Sequence, residues 1–254
     1  MLSAVVVAFS MYSRIPMPRI EWTEENMKYA VCFFPWIGAV IGGVEIGVWY
    51  LCGLLKMGEF FRTAALTVIP VLVTGGIHLD GFLDTVDARS SHQDRERKLE
   101  ILKDSHIGAF ALIGCAVYFL LSVAGWSEVD EAILPVAAVS FFLSRSYSGL
   151  AVVAFRQARK KGMLASFAEQ AHKKRVKAVM IVYLALASVF LVWLSPLYGT
   201  AAAAAALAVF GYYRYFSYRE FGGVTGDLAG YFLQLCELAM ILVPAILERL
   251  VSIL

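Results

Sequence analysis

Apolar runs at 31–55, 63–79, 108–126, 132–155, 178–195, 200–213 and 228–247 take up most of the chain and leave only short polar segments between them. A helix needs about 20 predominantly apolar residues to cross a bilayer, and inside lipid it satisfies every backbone amide within the segment. The pattern predicts an all-α integral membrane protein: a bundle of about seven transmembrane helices with amphipathic cytoplasmic helices, forming one polytopic domain over residues 1–254. Soluble domains are about 45–50% apolar and about 25% charged; this chain is 60% hydrophobic and 17% charged. The runs 63–79 and 200–213 are short for a span, and the six alanines Ala201 to Ala206 suit close helix packing better than lipid contact.

The distribution of charge sets an orientation. With the N-terminus inside, the segments 1–30, 80–107, 156–177 and 214–227 hold 18 of the 22 Lys and Arg residues, and the outside segments hold only Lys56, Arg62 and Arg249. Inner loops rich in Lys and Arg are the rule for multi-pass proteins, so these segments are expected on the cytoplasmic face, with the C-terminus outside. The net charge of +2 gives no case for nucleic acid. Cys32, Cys52, Cys115 and Cys236 lie scattered in apolar runs without metal-ligand spacing and read as small packing residues. Met1 to Ser10 lacks a basic leading region and reads as a retained interfacial segment.

Asp80, Asp84 and Asp87 follow an i, i+4, i+7 spacing, which places them within about 60° on one helix face. Like charges at that spacing repel, more so beside a bilayer, and residues 78–88 contain no Lys or Arg to interleave with them. A bound divalent cation would relieve the repulsion, and an all-oxygen ligand set suits Mg²⁺, Mn²⁺ or Ca²⁺ better than zinc. Gly75 and Gly76 precede the cluster and allow close backbone approach to a phosphate. His78 is expected on a different side of the helix from Asp80, in a hydrogen-bonding or base role rather than as a ligand.

Several other residues are candidates. Residues 91–108 read as an amphipathic helix beginning at a capping-box-like Ser91–Asp94 and ending at Gly108; its charges, Arg95 and Lys103 among them, could hold phosphates, or the helix could lie on anionic lipid. Asp104 stands near the end of that helix, where the dipole disfavours an acid. Gly222 to Asp227 repeats the Gly-Gly-apolar-x-x-Asp pattern of Gly75 to Asp80, and Thr225 and Asp227 stand where the last span begins. Glu45, Arg145 and Glu237 are intramembrane charges, which either serve a site or pair within the bundle. The basic stretch 156–177, including Arg156, Arg159, Lys160 and Lys161, sets topology or gathers an anionic substrate. These features together describe a membrane enzyme that handles a phosphate or pyrophosphate with a divalent metal.

The stretch Gly75-Gly76-Ile77-His78-Leu79-Asp80-Gly81-Phe82-Leu83-Asp84-Thr85-Val86-Asp87 strongly resembles the central motif of the cobalamin synthase family. The likeness continues through Asp94 to Ile101 and Lys103 to Gly108. It recurs in Ser13-Arg14-Ile15-Pro16-Met17-Pro18, in Phe34-Pro35-Trp36-Ile37-Gly38, and in Gly222 to Asp227 followed by Glu237; Ala88, Leu102 and His106 depart from the usual residues. The resemblance implies the last step of nucleotide-loop assembly. In that step a hydroxyl of α-ribazole or α-ribazole 5′-phosphate attacks the cobinamide-linked phosphate of adenosylcobinamide-GDP, and GMP leaves with Mg²⁺ required. It further implies metal at Asp80, Asp84 and Asp87, a base at Asp84 or Asp87 with His78 assisting, and substrate contacts at Arg14, Gly75, Gly76, Arg95, Lys103, Asp104, Arg145, Gly223, Thr225 and Asp227. The surroundings it implies are the lipid of a prokaryotic cytoplasmic (inner) membrane with the active site on the cytoplasmic face, and a homodimer or an assembly with other nucleotide-loop enzymes is compatible with the sequence. Rival readings are a CDP-alcohol phosphotransferase, of which Asp87-Ala88-Arg89 carries a fragment, and a cation or cobalt transporter.

Overall fold

The computed structural model describes residues 1–159 and 163–253. Lys160 and Lys161 of the basic stretch lie outside the described residues. Every apolar run is helical over most of its length. The chain order is α1 (Leu2–Tyr12), α2 (Glu24–Met27), a 3-10 turn (Ala30–Phe33), α3 (Phe34–Leu54), α4 (Glu59–Thr74), α5 (Ile77–Ser90) and α6 (Arg95–Ile101), then α7 (Ala109–Ser127), α8 (Leu134–Ala154), α9 (Met163–Gln170), α10 (Lys173–Leu194), α11 (Pro196–Phe216), a π-helical turn (Ser217–Phe221) and α12 (Gly226–Ile253). Among the described residues five helices are long and apolar enough to cross a membrane, and six if α4 and α5 together make one broken span. The expected count of about seven is therefore approximate. It depends on α11, which has the length, 21 residues, but whose four tyrosines, two glycines and Arg214 dilute its apolar residues. The chain is a multi-pass membrane protein.

Local chemistry explains where the helices begin. Pro35, Pro135 and Pro196 occupy the first turns of α3, α8 and α11, where a missing N–H costs nothing. Ser195 accepts the amide of Tyr198 and so turns the chain from α10 directly into α11. The expected helix over 91–108 is shorter than predicted. It starts at α6 with Asp94 as its cap, accepting the Arg97 amide at 2.9 Å, while the Ser91 hydroxyl donates back to Ala88 O. Gly108 does not close that helix; it caps the next one, α7.

Packing is tight where small residues meet backbone. A Cβ on Gly38 or Gly42 of α3 would lie 2.1 Å from Phe141 O or 2.3 Å from Ala138 O of α8, so this Gly-x-x-x-Gly pair lets the two helices touch along their backbones. Ala202 and Ala206, four residues apart in the alanine run, are fully buried. The centre of the bundle is α12, which packs against α5, α7, α8 and α11. Large apolar side chains of α7 and α10, including Leu112, Leu120, Leu186 and Trp193, point outward and exposed. A soluble monomer rarely leaves so continuous an apolar surface uncovered, and lipid is its natural solvent. Of the segment Met1 to Ser10, Leu2 onward belongs to α1, whose Val6, Val7 and Ala8 are buried.

The run 63–79 does not continue as one helix. Gly75 and Gly76 adopt φ of +67° and +81°, and the axis turns by 97° between α4 and α5. Two successive left-handed residues are cheap only for glycine, so this pair sets the bend that aims the aspartate-bearing helix.

Candidate active site

A cavity of about 260 Å³ lies where the ends of several helices converge. Tyr12 closes α1, Phe34 opens α3, His78 and Asp80 sit in the first turn of α5, Ser148 and Val152 come from the end of α8, and Thr225 and Asp227 begin α12. Gln157, Arg159 and Leu164 complete the rim from the connection between α8 and α9. These helix ends adjoin the Lys- and Arg-rich segments.

The two Gly-Gly-apolar-x-x-Asp segments meet here. Asp80 ends the first and Asp227 the second, and both line the cavity. The crossing is close because Gly81 has no side chain: a Cβ there would lie 2.8 Å from Asp227 Cα and from Asp227 O. Asp227 is held from its own side. The Thr225 hydroxyl donates to Asp227 Oδ2 at 3.3 Å and accepts the Leu228 amide at 3.2 Å, so it caps α12 while fixing the carboxylate. Arg159 Nη1 lies 3.7 Å from Asp227 Oδ2, and Arg159 also donates to Leu99 O. A parallel bridge between Gln157 and Val224, with Ala158 N to Val224 O and Val224 N to Arg156 O both at 2.9 Å, locks the second Gly-Gly segment to this connection.

The structure redistributes the expected residues. Asp84 lies one turn beyond Asp80, near enough to feel the charges of Asp80, Asp227 and Asp87, but it does not line the cavity. Asp87 serves the fold: it accepts the amides of Gly108 (2.5 Å) and Ala111 (2.8 Å) and so caps α7. Among the described residues no three His, Cys, Asp or Glu side chains gather as a metal cluster, so the three aspartates of one helix face are not a preformed cage. His78, expected away from Asp80, lines the same cavity with it, because both lie at the first turn where the cavity meets the helix end. The His78 side chain is buried, with Nε2 lacking a hydrogen-bond partner.

The expected phosphate contacts divide in the same way. Arg14 lies over Gly75, where a Cβ would be 2.4 Å from Arg14 Nε, and the Arg14 amide donates to Val73 O at 2.7 Å; both steady the bend. The Arg95 guanidinium lies against Gly222, and Lys98 pairs with Glu220, so α6 braces the second Gly-Gly segment. The hydrogen bond from Lys98 holds the Glu220 carboxyl below its ordinary value. Gly223 packs on Arg156 O. Lys103 and Asp104 are exposed and away from the cavity; Asp104 folds its own loop by accepting the His106 amide, which, with the His106 ring, holds its carboxyl low. Arg145 does not line the cavity. It is buried at 1% exposure and pairs with Glu237 at 2.6 Å, which the Ser144 hydroxyl also reaches at 2.8 Å. This is the pairing within the bundle that the sequence left open. Glu45 is fully buried, and neither of its oxygens has a hydrogen-bond partner.

The sequence did not mark Tyr12; Phe34 entered only as part of the Phe34-to-Gly38 likeness, and Arg159 only as a member of the basic stretch. Arg159 is one of eight cations in 156–177, and nothing in the sequence marks it apart from its neighbours. The two aromatics resemble ordinary core residues until the convergence of α1, α3 and α5 is known.

The family model described as Cobalamin-5-phosphate synthase matches residues 4–245. The chain is 47% identical to the adenosylcobinamide-GDP ribazoletransferase of Lachnoclostridium phytofermentans over 98% of this chain and 96% of the relative. Enzymes of the same description from Desulfitobacterium hafniense and Clostridium perfringens are 33% and 31% identical, over 93% and 96% of this chain and 94% and 98% of the relatives. No solved structure matches the chain. A match of this extent, collinear with the Gly-Gly-Asp segments that build the cavity, shows that the chain belongs to the cobalamin-5-phosphate synthase family.

Proposed function

We propose that this cavity is the centre at which the chain acts as an adenosylcobinamide-GDP ribazoletransferase, and the observation that carries the reading is the meeting of Asp80 and Asp227 in one cavity. A ribose hydroxyl of α-ribazole, or of its 5′-phosphate, attacks the phosphorus linked to cobinamide. The bond from that phosphorus to the bridging oxygen breaks, GMP leaves with that oxygen, and the hydroxyl proton passes to a carboxylate. A carboxylate that lines the cavity is the acceptor for that proton, and Asp80 there forms no ion pair among the described residues. Arg159, beside Asp227, supplies positive charge toward the pyrophosphate.

The donor set fits a hard divalent cation. Mg²⁺ is characteristically held by one or two carboxylates, its other positions filled by water and substrate phosphates, so Asp80 and Asp227 suffice and a cage of three protein ligands is unnecessary. When bound, such an ion would neutralise charge on the pyrophosphate and on the departing GMP. Mn²⁺ carries the same preference for oxygen. The Lys- and Arg-rich segments beside the cavity support an opening toward the cytoplasm of a prokaryotic inner membrane.

The test is transfer by the purified protein in lipid, with magnesium titrated and with adenosylcobinamide-GDP and CDP-diacylglycerol offered separately. Magnesium-dependent GMP release from the corrinoid donor is expected; turnover of the CDP-lipid alone would overturn the reading.

A further inference from the structure

The unpacked side of α11 changes character along its length. Ala204, Leu207 and Ala208 are exposed on it, followed by Gly211, Arg214 and Tyr215. Steps of three and four residues keep these on one helix face, so the stripe is apolar along the helix and turns basic and aromatic where α11 ends. Two cavities flank that end and share Tyr215 and Arg219. One, of about 590 Å³, is open and lined by Gly211, Arg214, Tyr215, Tyr218 and Arg219. The other, of about 250 Å³, brings in Arg89 of α5 and Lys98 of α6. Neither shares a lining residue with the cavity that holds Asp80 and Asp227.

The charges at this end do not cancel. Glu220 is the one carboxylate among the residues lining the two cavities; it pairs with Lys98, and Arg219 reaches it only at 3.8 Å. Arg89 and Arg214 form no ion pair among the described residues. The Arg214 guanidinium lies over the rings of Phe155 and Tyr218, 5.7 Å from each centroid. Arg219 lies over the Tyr215 ring and donates to its hydroxyl. Stacking holds a guanidinium by its face and leaves N–H donors at its edge for an anion.

We infer that this cradle binds an anionic phospholipid of the leaflet on that side, with the headgroup phosphate between Arg214 and Arg219 and an acyl chain along Gly211, Ala208 and Leu207. Gly211 suits the passage of a chain, since a Cβ there would meet nothing within 4 Å. Basic pockets between helices at the membrane surface take anionic headgroups, and tyrosines at that level mark the interface. A soluble phosphate compound would meet the arginines but leave the adjoining apolar stripe uncovered; a lipid covers both. Because the cradle is separate from the transfer cavity, the inference does not depend on the transferase reading.

The test is native mass spectrometry of the full-length protein from micelles into which phosphatidylglycerol or phosphatidylcholine of equal chain length is titrated. Saturable retention of about one phosphatidylglycerol per chain is expected, with an apparent Kd about tenfold or more below that of phosphatidylcholine. Gly211→Leu, which fills the open groove, and Arg214→Gln and Arg219→Gln, which each remove a charge-assisted contact, should raise the phosphatidylglycerol Kd about tenfold or more. Lys174→Gln, which removes an exposed cation from α10, should leave that Kd within about twofold. Melting curves confirm that each variant is folded. Equal retention of the two lipids, an unchanged Kd in folded Gly211→Leu and Arg214→Gln, or an equal loss in Lys174→Gln would overturn the inference. Displacement of the lipid by inorganic phosphate or GMP would overturn it as well, by marking the cradle as a site for a soluble phosphate.

Discussion

Gly81 of α5 faces the backbone of Asp227 at the start of α12 so closely that a Cβ on Gly81 would stand 2.8 Å from both the Cα and the carbonyl oxygen of Asp227. That contact makes the two Gly-Gly-apolar-x-x-Asp segments halves of one site, since it lets Asp80 and Asp227 reach the same cavity. The opposing atoms belong to backbone, so the neighbour cannot yield by a side-chain rotation.

Gly81→Ala should therefore separate α5 from α12, with an overpacking cost of about 1–3 kcal/mol and a loss of most transfer activity. Gly114→Ala is the comparison. A Cβ at Gly114 would meet Val86 Cγ1 at 2.9 Å, a side-chain atom that can shift. Thermal midpoints and initial rates of both variants in lipid check the contrast, and equal losses would show that the crossing at Asp227 has no special weight.

Asp80 and Asp87 sit on one helix but answer to different pressures. Asp87→Ala removes the acceptor for the Gly108 and Ala111 amides, so the expected effect is a stability loss of about 0.5–2 kcal/mol, typical of a lost helix cap, with the magnesium dependence of the surviving activity unchanged. Asp80→Ala should do the opposite: transfer falls by about a hundredfold or more while the thermal midpoint is unchanged or higher, because a repulsion with Asp84 is removed. Magnesium titrations paired with melting curves distinguish the two outcomes.

The helices were legible because lipid imposes long apolar runs, and those runs survive folding almost residue for residue. The bend at Gly75–Gly76 was hidden, since Ile77 and Leu79 extend the apolar run across it and only the left-handed φ values reveal the break. The aspartate triplet announced a site through its spacing, but spacing along one helix says nothing about what approaches from elsewhere. Asp87 meets the start of α7, 21 residues later in the chain, and Asp227 arrives from a helix more than a hundred residues away. The repeated Gly-Gly-apolar-x-x-Asp pattern, together with the family likeness over Gly222 to Asp227, was the sequence signal of that second wall. His78 does face another side of the helix than Asp80, buried where Asp80 is exposed, and both still line the cavity because a cavity at a helix end can be lined from several sides of the first turn.

The Lys98–Glu220 pair ties α6 to the π-helical turn ahead of Gly222, and its contribution should depend on pH with a definite sign. Glu220 has a carboxyl held below its ordinary value, so the pair stabilises the folded state fully above the unfolded carboxylate value of about 4.3 and progressively less as pH falls through the lower folded value. Lys98→Gln should lower stability by about 1 kcal/mol or less at neutral pH, since Glu220 is partly exposed. The difference from wild type should shrink toward acid. Melting curves from neutral to acid pH measure it; a difference that grows on acidification would contradict the pairing.

Arg145 and Glu237 form the buried ion pair of the bundle interior, at 1% and 5% side-chain exposure, with Ser144 sharing the carboxylate. Removing one partner strands the other charge among apolar helices, which characteristically costs about 3–5 kcal/mol, whereas replacing both with apolar residues of similar size is often neutral or stabilising. Arg145→Met and Glu237→Leu should each lower the thermal midpoint sharply, and the double variant should recover most of the loss. Activity should follow stability in all three, because neither residue lines the cavity. A double variant that regains its melting temperature but not its transfer rate would show that Arg145 acts on substrate as well as on Glu237.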